Sequence, residues 1–194
     1  MHYLVGLGNP GEKYTRTRHN VGWLALDYCT AKWNLPGLID SRSHSGRVTD
    51  GIVNGEEVQI LYPDTFMNNS GSAVVNFVPK SDIKNLIVVH DDIDLPFGVI
   101  KVSQGKGGGG NGVQSIIQKL DTKEFVRVRI GIAPKSFWTG KTKRPAGGGP
   151  LERFVLKEFG KAEQKQLDEV FEKVAMALEL VISDGVEAAM NQCN

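Results

Sequence analysis

The stretch Tyr3-Leu-Val-Gly-Leu-Gly-Asn-Pro-Gly11 runs from an apolar segment into a turn rich in glycine, and Thr17-Arg-His-Asn20 follows it. Residues 2–7 are mostly apolar, as in a strand that is buried on both faces of a parallel sheet. Proteins of the α/β class bind their ligands where such strands end. Histidine is the side chain that exchanges a proton near neutral pH. The stretch therefore predicts an α/β fold with chemistry at the end of its first strand.

Helical and strand patterns alternate through the rest of the chain. Apolar spacing predicts helices over 21–33, 69–78, 112–120 and 161–182. Strands are predicted over 46–53 and 57–62, which flank the hairpin signal Asn54-Gly55, and over 85–90, 99–103 and 126–132. These elements predict one α/β domain over residues 1–194, with a mixed twisted sheet and helices on both faces. Its Gly/Pro-rich segment 134–150 is predicted to be a mobile loop, and 161–194 a C-terminal helical segment.

Composition indicates a soluble globular protein, because 40% of the residues are apolar and 23% are charged. No run of about 20 apolar residues predicts a membrane span, and no signal peptide is apparent. Cys29 and Cys193 are too few for a disulfide framework. These features together predict a cytoplasmic protein.

Charge is distributed unevenly although the net charge is only +1. From Lys101 to Arg144 the chain has ten Lys and Arg residues against two acids, whereas residues 160–194 have three against seven. One interpretation is a positive face that binds phosphate. The other is ordinary solvated surface charge without a partner, and the charge pattern alone favours neither.

Gly6-Leu-Gly-Asn-Pro-Gly11 also fits the G-x-G-x-x-G pattern of dinucleotide sites. Such a site needs its third glycine in the first turn of a helix, and an acid about 20 residues later at the end of a second strand. Here the helix is predicted to begin only after Asn20, and Asp27 lies inside it. A turn that presents Asn9 is therefore the favoured interpretation, and a nucleotide-dependent oxidoreductase is a rival.

His90-Asp-Asp-Ile-Asp94 places three carboxylates directly after a buried strand. Hard divalent cations favour carboxylates, but side chains alternate along an extended segment, so Asp91 and Asp92 should point in opposite directions. One functional carboxylate is therefore favoured over a metal site. A carboxylate that accepts the N–H of a histidine fixes its tautomer, and either Asp91 or Asp92 can do this for His19. His90 itself can be a core histidine.

Two further segments precede predicted helices. Asn68-Asn-Ser70 can supply a helix cap, and Gly107–Gly112 is either a flexible linker or a formed site whose backbone N–H groups face an anion or a substrate. The sequence contains no Gly-x-Ser-x-Gly elbow, no zinc-ligand spacing and no cysteine beside an evident base. Water is therefore the expected nucleophile.

Taken in order, these motifs resemble bacterial-type peptidyl-tRNA hydrolase over nearly the whole chain. The resemblance is carried by Gly6–Gly11, Thr17–Asn20, Thr65-Phe-Met-Asn68, His90–Pro96, Gly110-Asn-Gly112, Arg129-Ile-Gly-Ile132 and Phe154-Val-Leu156. It implies a monomeric esterase without a metal or cofactor. Such an esterase cleaves the bond between a peptide, or an N-blocked amino acid, and the 3′ end of tRNA.

The resemblance also implies roles for individual residues. His19 is the general base, Asp91 supports it, and Asn9 distinguishes a peptide amide from a free ammonium. The residues implied to bind the substrate, the 3′ CCA end or the acceptor-arm phosphates are Tyr14, Phe66, Met67, Asn68, Asn111, Lys101, Lys106 and Lys143. The first rival to this enzyme is a non-catalytic RNA-binding relative of the same fold.

Overall fold

A computed structural model describes residues 1–105, 109–134, 145 and 147–194. The described residues form one seven-stranded mixed sheet with the order β2-β3-β4-β1-β5-β7-β6. The strands are β1 (His2–Gly6), β2 (Ile39–Ser41), β3 (Gly46–Val53), β4 (Glu56–Pro63), β5 (Leu86–Pro96), β6 (Ile100–Gln104) and β7 (Val126–Ala133). This sheet confirms the predicted fold class.

The centre of the sheet is parallel and its margins are antiparallel. β1 pairs in parallel with β4 and β5, and β5 pairs in parallel with β7. The hairpins β3–β4 and β6–β7, and the pair β2–β3, are antiparallel. The carboxyl ends of β1, β4, β5 and β7 therefore meet at one edge, where α/β proteins place their sites.

The helices are α1 (Val21–Lys32), α2 (Ser70–Phe77), α3 (Asn111–Leu120), α4 (Gly149–Val155), α5 (Lys161–Gln164), α6 (Leu167–Ser183) and α7 (Val186–Cys193). Single 3₁₀ turns precede α1 at Arg18–Asn20 and α2 at Met67–Asn69. No helix among these described residues is long and apolar enough to cross a membrane.

Two apolar clusters fill the two faces of the sheet. One joins α1, α6 and α7 to inward residues such as Ile87 and Val89 of β5. The other joins α2 and α3 to Leu86 and Val88 of the same strand. Helices therefore cover both faces, as predicted, and successive residues of β5 point to different clusters.

The first turn of α1 lies directly on the ends of β1 and β5. A Cβ atom on Gly22 would lie 2.4 Å from the carbonyl oxygen of Val89, so only glycine permits this approach. The glycine brings the start of α1, and with it the preceding 3₁₀ turn, against the open edge of the sheet.

One prediction about the second half of the chain was wrong, and another concerns a segment that lies mostly outside the described residues. The single helix predicted over 161–182 is broken between α5 and α6, because residues 161–166 offer only Ala162 for apolar packing and the apolar face begins at Leu167. The loop predicted over 134–150 falls largely outside the described residues. Its last two residues, Gly149 and Pro150, belong to α4.

Candidate active site

A cleft of about 970 Å³ opens at the carboxyl edge of the sheet. The turn after β1, the 3₁₀ turn before α2, the end of β5, the start of α3 and helix α4 form its walls. The predicted site residues that line it are Asn9, Tyr14, His19, Phe66, Met67, Asn68, Asp91 and Asn111. The structure therefore brings together eight of the predicted side chains from distant parts of the sequence.

His19 and Asp91 form a pair inside the cleft. The Nδ1 atom of His19 lies 2.9 Å from Oδ1 of Asp91, and both side chains are largely buried. Burial alone would lower the pKa of His19, but the charge of Asp91 and its hydrogen bond outweigh burial, and the pKa is raised above its ordinary value. Because Asp91 occupies Nδ1, the Nε2 atom is the ring nitrogen left for a reaction in the cleft.

Asn9 is held from both sides. The carboxamide of Asn20, which is fully buried, accepts a hydrogen bond from the backbone N–H of Asn9 at 2.9 Å and donates one to its carbonyl oxygen at 3.0 Å. The side-chain oxygen of Asn9 accepts the backbone N–H of Met67 at 2.8 Å. The NH₂ group of Asn9 is therefore the part of its carboxamide that remains for a ligand.

Arg18 attaches the turn that carries His19 to the C-terminal part of the chain. Its guanidinium donates to the carbonyl oxygen of Glu158 and to the carboxylate of Glu163, each at 2.6 Å. The same group lies over the ring of Phe154, with 4.6 Å to the ring centre. These contacts fix the 3₁₀ turn next to α4, so Arg18 holds the turn that carries His19 against this wall of the cleft.

The three carboxylates Asp91, Asp92 and Asp94, which lie within β5, do not converge. Asp91 contacts His19, whereas Oδ2 of Asp92 accepts hydrogen bonds from Nε and NH2 of Arg129, each at 2.7 Å. The other Asp92 oxygen accepts the backbone N–H of Asp94 at 2.8 Å. The opposite orientations predicted for Asp91 and Asp92 are confirmed.

The predicted lysines are not part of the described cleft. Lys101 is exposed on the edge strand β6, paired in register with Arg129, and does not line the cleft. Lys106 and Lys143 lie outside the described residues. Of the cations counted between Lys101 and Arg144, Arg127 is buried and Arg129 is paired with Asp92, so these two do not add to a positive surface.

The wall that α4 contributes was not predicted from the sequence. Leu151, Glu152 and Val155 of α4 and the adjoining Leu156 line the cleft, and the predicted loop 134–150 includes the first two residues of this helix. A signal was present: Pro150 is a favoured residue in the first turn of a helix, and Leu151, Phe154 and Val155 have helical spacing.

Fold and cleft together define an α/β protein with a histidine–carboxylate pair at the carboxyl edge of its sheet. The chain belongs to the peptidyl-tRNA hydrolase family, whose model, described as Peptidyl-tRNA hydrolase, matches residues 3–194. The resemblance stated from the motifs is thereby confirmed.

Named relatives agree with this assignment over nearly their whole length. The chain is 42% identical to the peptidyl-tRNA hydrolase of Herpetosiphon aurantiacus, an alignment that covers 100% of this chain and 90% of that protein. It is 38% identical to the peptidyl-tRNA hydrolase of Syntrophotalea carbinolica, with 100% and 97% covered. The crystal structure of the Acinetobacter baumannii peptidyl-tRNA hydrolase matches with a TM-score of 0.86 at 31% identity, covering 100% of this chain and 94% of that one.

Proposed function

We propose that the protein hydrolyses the ester between a peptide, or an N-blocked amino acid, and the 3′ end of tRNA, with water activated by His19. The observation that carries the proposal is the 2.9 Å contact between His19 and Asp91 in a cleft lined by three asparagines. Membership of the peptidyl-tRNA hydrolase family supplies the substrate class.

The chemistry follows from which ring nitrogen is free. A carboxylate only accepts, so Asp91 selects the tautomer with a proton on Nδ1 and leaves a lone pair on Nε2. Nε2 takes a proton from water as the water oxygen attacks the ester carbon. Asp91 stabilises the imidazolium that forms. The bond to the 3′ oxygen of tRNA then breaks, and the imidazolium returns the proton to that oxygen.

Asn9 is suited to recognise a carbonyl oxygen. Its oxygen already accepts the N–H of Met67, so the NH₂ group is the part of the carboxamide available to donate to a ligand carbonyl. A peptide or a blocking group offers a carbonyl there, whereas the ammonium of a free aminoacyl-tRNA offers only donors. A site whose polar groups would be left unpaired can reject the wrong substrate strongly. The exposed amides of Asn68 and Asn111 on the cleft wall can both donate and accept.

Asn20→Asp should weaken the support of Asn9. The aspartate still accepts the N–H of Asn9, but it cannot donate to the carbonyl and places two acceptors face to face. We expect the free energy of unfolding to fall by about 1–3 kcal/mol, the usual cost of an unsatisfied buried group, and kcat to fall with it. Chemical denaturation and steady-state hydrolysis measure the two effects. Asn76→Asp on the exposed face of α2 is the matched control and should change neither. Unaltered stability and kcat in Asn20→Asp would show that the two hydrogen bonds from Asn20 do not hold Asn9 in place.

The tRNA body is expected to bind through Lys101, Lys106 and Lys143, with Tyr14 and Phe66 near the 3′ CCA end. Phe66 is 58% exposed at the cleft, which suits stacking against a base. Contacts to acceptor-arm phosphates position a substrate without reading its sequence.

Lys101→Ala should weaken tRNA binding and reduce the slope of log K against log salt concentration by roughly one, as expected for one lost phosphate contact. Equilibrium binding of deacylated tRNA at several salt concentrations measures both quantities. Lys173→Ala on α6, an exposed lysine in the acidic segment 160–194, is the control. Equal slopes for the two variants would remove Lys101 from the tRNA surface.

The proposed activity is tested by incubating the protein with N-acetyl-aminoacyl-tRNA and, in parallel, with the unblocked aminoacyl-tRNA. We expect fast release of the blocked amino acid and slow release of the free one. No hydrolysis by folded, tRNA-binding protein would favour the non-catalytic relative instead. We expect the enzyme to work in the cytoplasm, where its substrate arises, and as a monomer, which sedimentation checks.

A further inference from the structure

His90 is a buried histidine that the proposed chemistry does not use. It precedes Asp91 on β5, is 1% exposed and points to the face of the sheet opposite to His19. Its Nδ1 atom lies 2.7 Å from the backbone carbonyl oxygen of Asp91. The ring therefore contacts the main chain of the residue whose side chain contacts His19.

The carbonyl of Asp91 needs this donor because β1 ends before reaching it. Leu7 donates its backbone N–H to the carbonyl of Val89 at 2.9 Å, so that carbonyl points toward β1. Carbonyls two residues apart in a strand point the same way, and the Asp91 carbonyl therefore points past the end of β1. Beyond Leu7 the chain leaves the sheet for the turn of Asn9, so no N–H of β1 faces Asp91.

The contact fixes the tautomer of His90. A carbonyl only accepts, so Nδ1 carries the proton, and Nε2, which has no hydrogen-bond partner among the described residues, does not. The pKa of His90 is lowered, mainly by burial. The charges of Asp91 and Asp92 oppose this effect, whereas the charge of Arg127 adds to it. Arg129 lies opposite in register on β7. The ring is therefore a neutral donor at physiological pH.

We infer that His90 is a positioning residue for the catalytic pair: its Nδ1–H holds the main chain of Asp91 where β5 runs past the end of β1, so that the carboxylate meets His19. The inference rests on the proposed function for its kinetic consequence only. The dependence of the His19–Asp91 contact on His90 is a geometric claim, and it can be tested in protein that is not hydrolysing substrate.

Two amide substitutions separate positioning from packing. In His90→Asn the side-chain NH₂ occupies the place of Nδ1 and can still donate to the Asp91 carbonyl. In His90→Gln the amide lies one bond further out, near the place of Nε2, and the donor is lost. Both variants bury a neutral amide, so both should lose thermal stability to a similar degree. Activity is compared below the unfolding transition of the less stable one.

We expect His90→Gln to lower kcat about tenfold, the order of one lost buried hydrogen bond, with KM nearly unchanged, and His90→Asn to stay within about threefold of the parent. A weakened contact with Asp91 should also move the pKa of His19 down in His90→Gln and leave it in place in His90→Asn. Glu152 and Asp94, the other carboxylates at the cleft beside Asp92, are the same in both variants. Equal kcat and equal His19 pKa in the two variants would make His90 a packing residue and overturn the inference.

NMR of the unsubstituted, ¹⁵N-labelled protein gives a test that requires no variant to fold. The nitrogen shifts of His90 should report a neutral ring protonated on Nδ1 at pH 7.5. A proton on Nε2 would contradict the inference. The His19 pKa is read from the same spectra without substrate, so a failure of the proposed hydrolysis leaves this result interpretable.

Discussion

His19→Ala should lower kcat for N-acetyl-aminoacyl-tRNA by at least about 10²–10⁴-fold, the range that general-base catalysis contributes. The substitution removes the only described group placed both to take a proton from water in the cleft and to be charged against Asp91 at 2.9 Å. Affinity for tRNA should stay nearly intact, because the lysines proposed to contact the phosphates lie outside the His19–Asp91 pair. Single-turnover hydrolysis and equilibrium tRNA binding measure the two effects separately.

The matched control is His44→Ala. His44 lies away from the cleft, where its Nδ1 is 2.8 Å from Oγ of Ser41 and its ring packs against Phe77. This variant should hydrolyse the substrate at the parental rate. A His19→Ala protein that keeps its turnover but loses tRNA affinity would assign His19 to binding and contradict the role of base.

The fold was predictable where local signals and burial agree. The Asn54-Gly55 turn has both residues at positive φ, 52° and 85°, the conformation that its sequence favours in a two-residue hairpin. The buried runs of β1, β5 and β7 were predicted from their apolar composition. The break in the helix before Leu167 was not predicted. The regular apolar spacing after Leu167 suggested one continuous helix, although residues 161–166 offer little apolar surface for packing.

The choice between Asp91 and Asp92 shows why a site is harder to predict than a strand. Alternation along β5 requires the two carboxylates to face opposite ways, but it does not say which faces His19. That depends on which side of the sheet α1 covers. In the structure α1 packs on the face that holds Ile87 and Val89, so the odd-numbered Asp91 lies on the side of His19. Without the structure, only the family resemblance could distinguish Asp91 from Asp92 as the partner of His19.

Asn20 and Arg18 illustrate a second limit. Both residues are next to His19 in the sequence, but neither contact follows from the local pattern. Asn20 hydrogen-bonds to the main chain of Asn9, and Arg18 donates to Glu163, which lies 145 positions further along the chain. A buried side chain that supports another residue carries no local pattern. The same holds for Arg127, which counts as positive surface in the sequence and is buried in the fold.

Asp91→Asn should lower kcat by about 10²–10⁴-fold, since an amide can donate to Nδ1 and stabilise the tautomer whose Nε2 carries the proton. That tautomer cannot accept a proton from water. The exposed Asp50→Asn on β3 is the matched control and should leave kcat unchanged. An Asp91→Asn enzyme with near-parental kcat would show that the carboxylate is dispensable.

The pH dependence gives a second and independent consequence of the same substitution. Activity requires neutral His19, so kcat/KM rises as the pH passes upward through the pKa of His19, which Asp91 raises in the folded protein against the effect of burial. Without the carboxylate, burial dominates and the acid limb should move to lower pH.

Stability depends on pH in the opposite direction to activity. Because the pKa of His19 is raised in the folded protein, the His19–Asp91 pair stabilises the fold fully at pH values below the pKa of His19 in the unfolded chain. This contribution is lost as the pH rises through the pKa of His19 in the folded protein. Asp91→Asn should therefore cost more free energy of unfolding at pH 5 than at pH 8, as measured by denaturation at both values. An acid limb that does not move, together with an equal loss of stability at the two pH values, would mean that His19 and Asp91 are not coupled in solution.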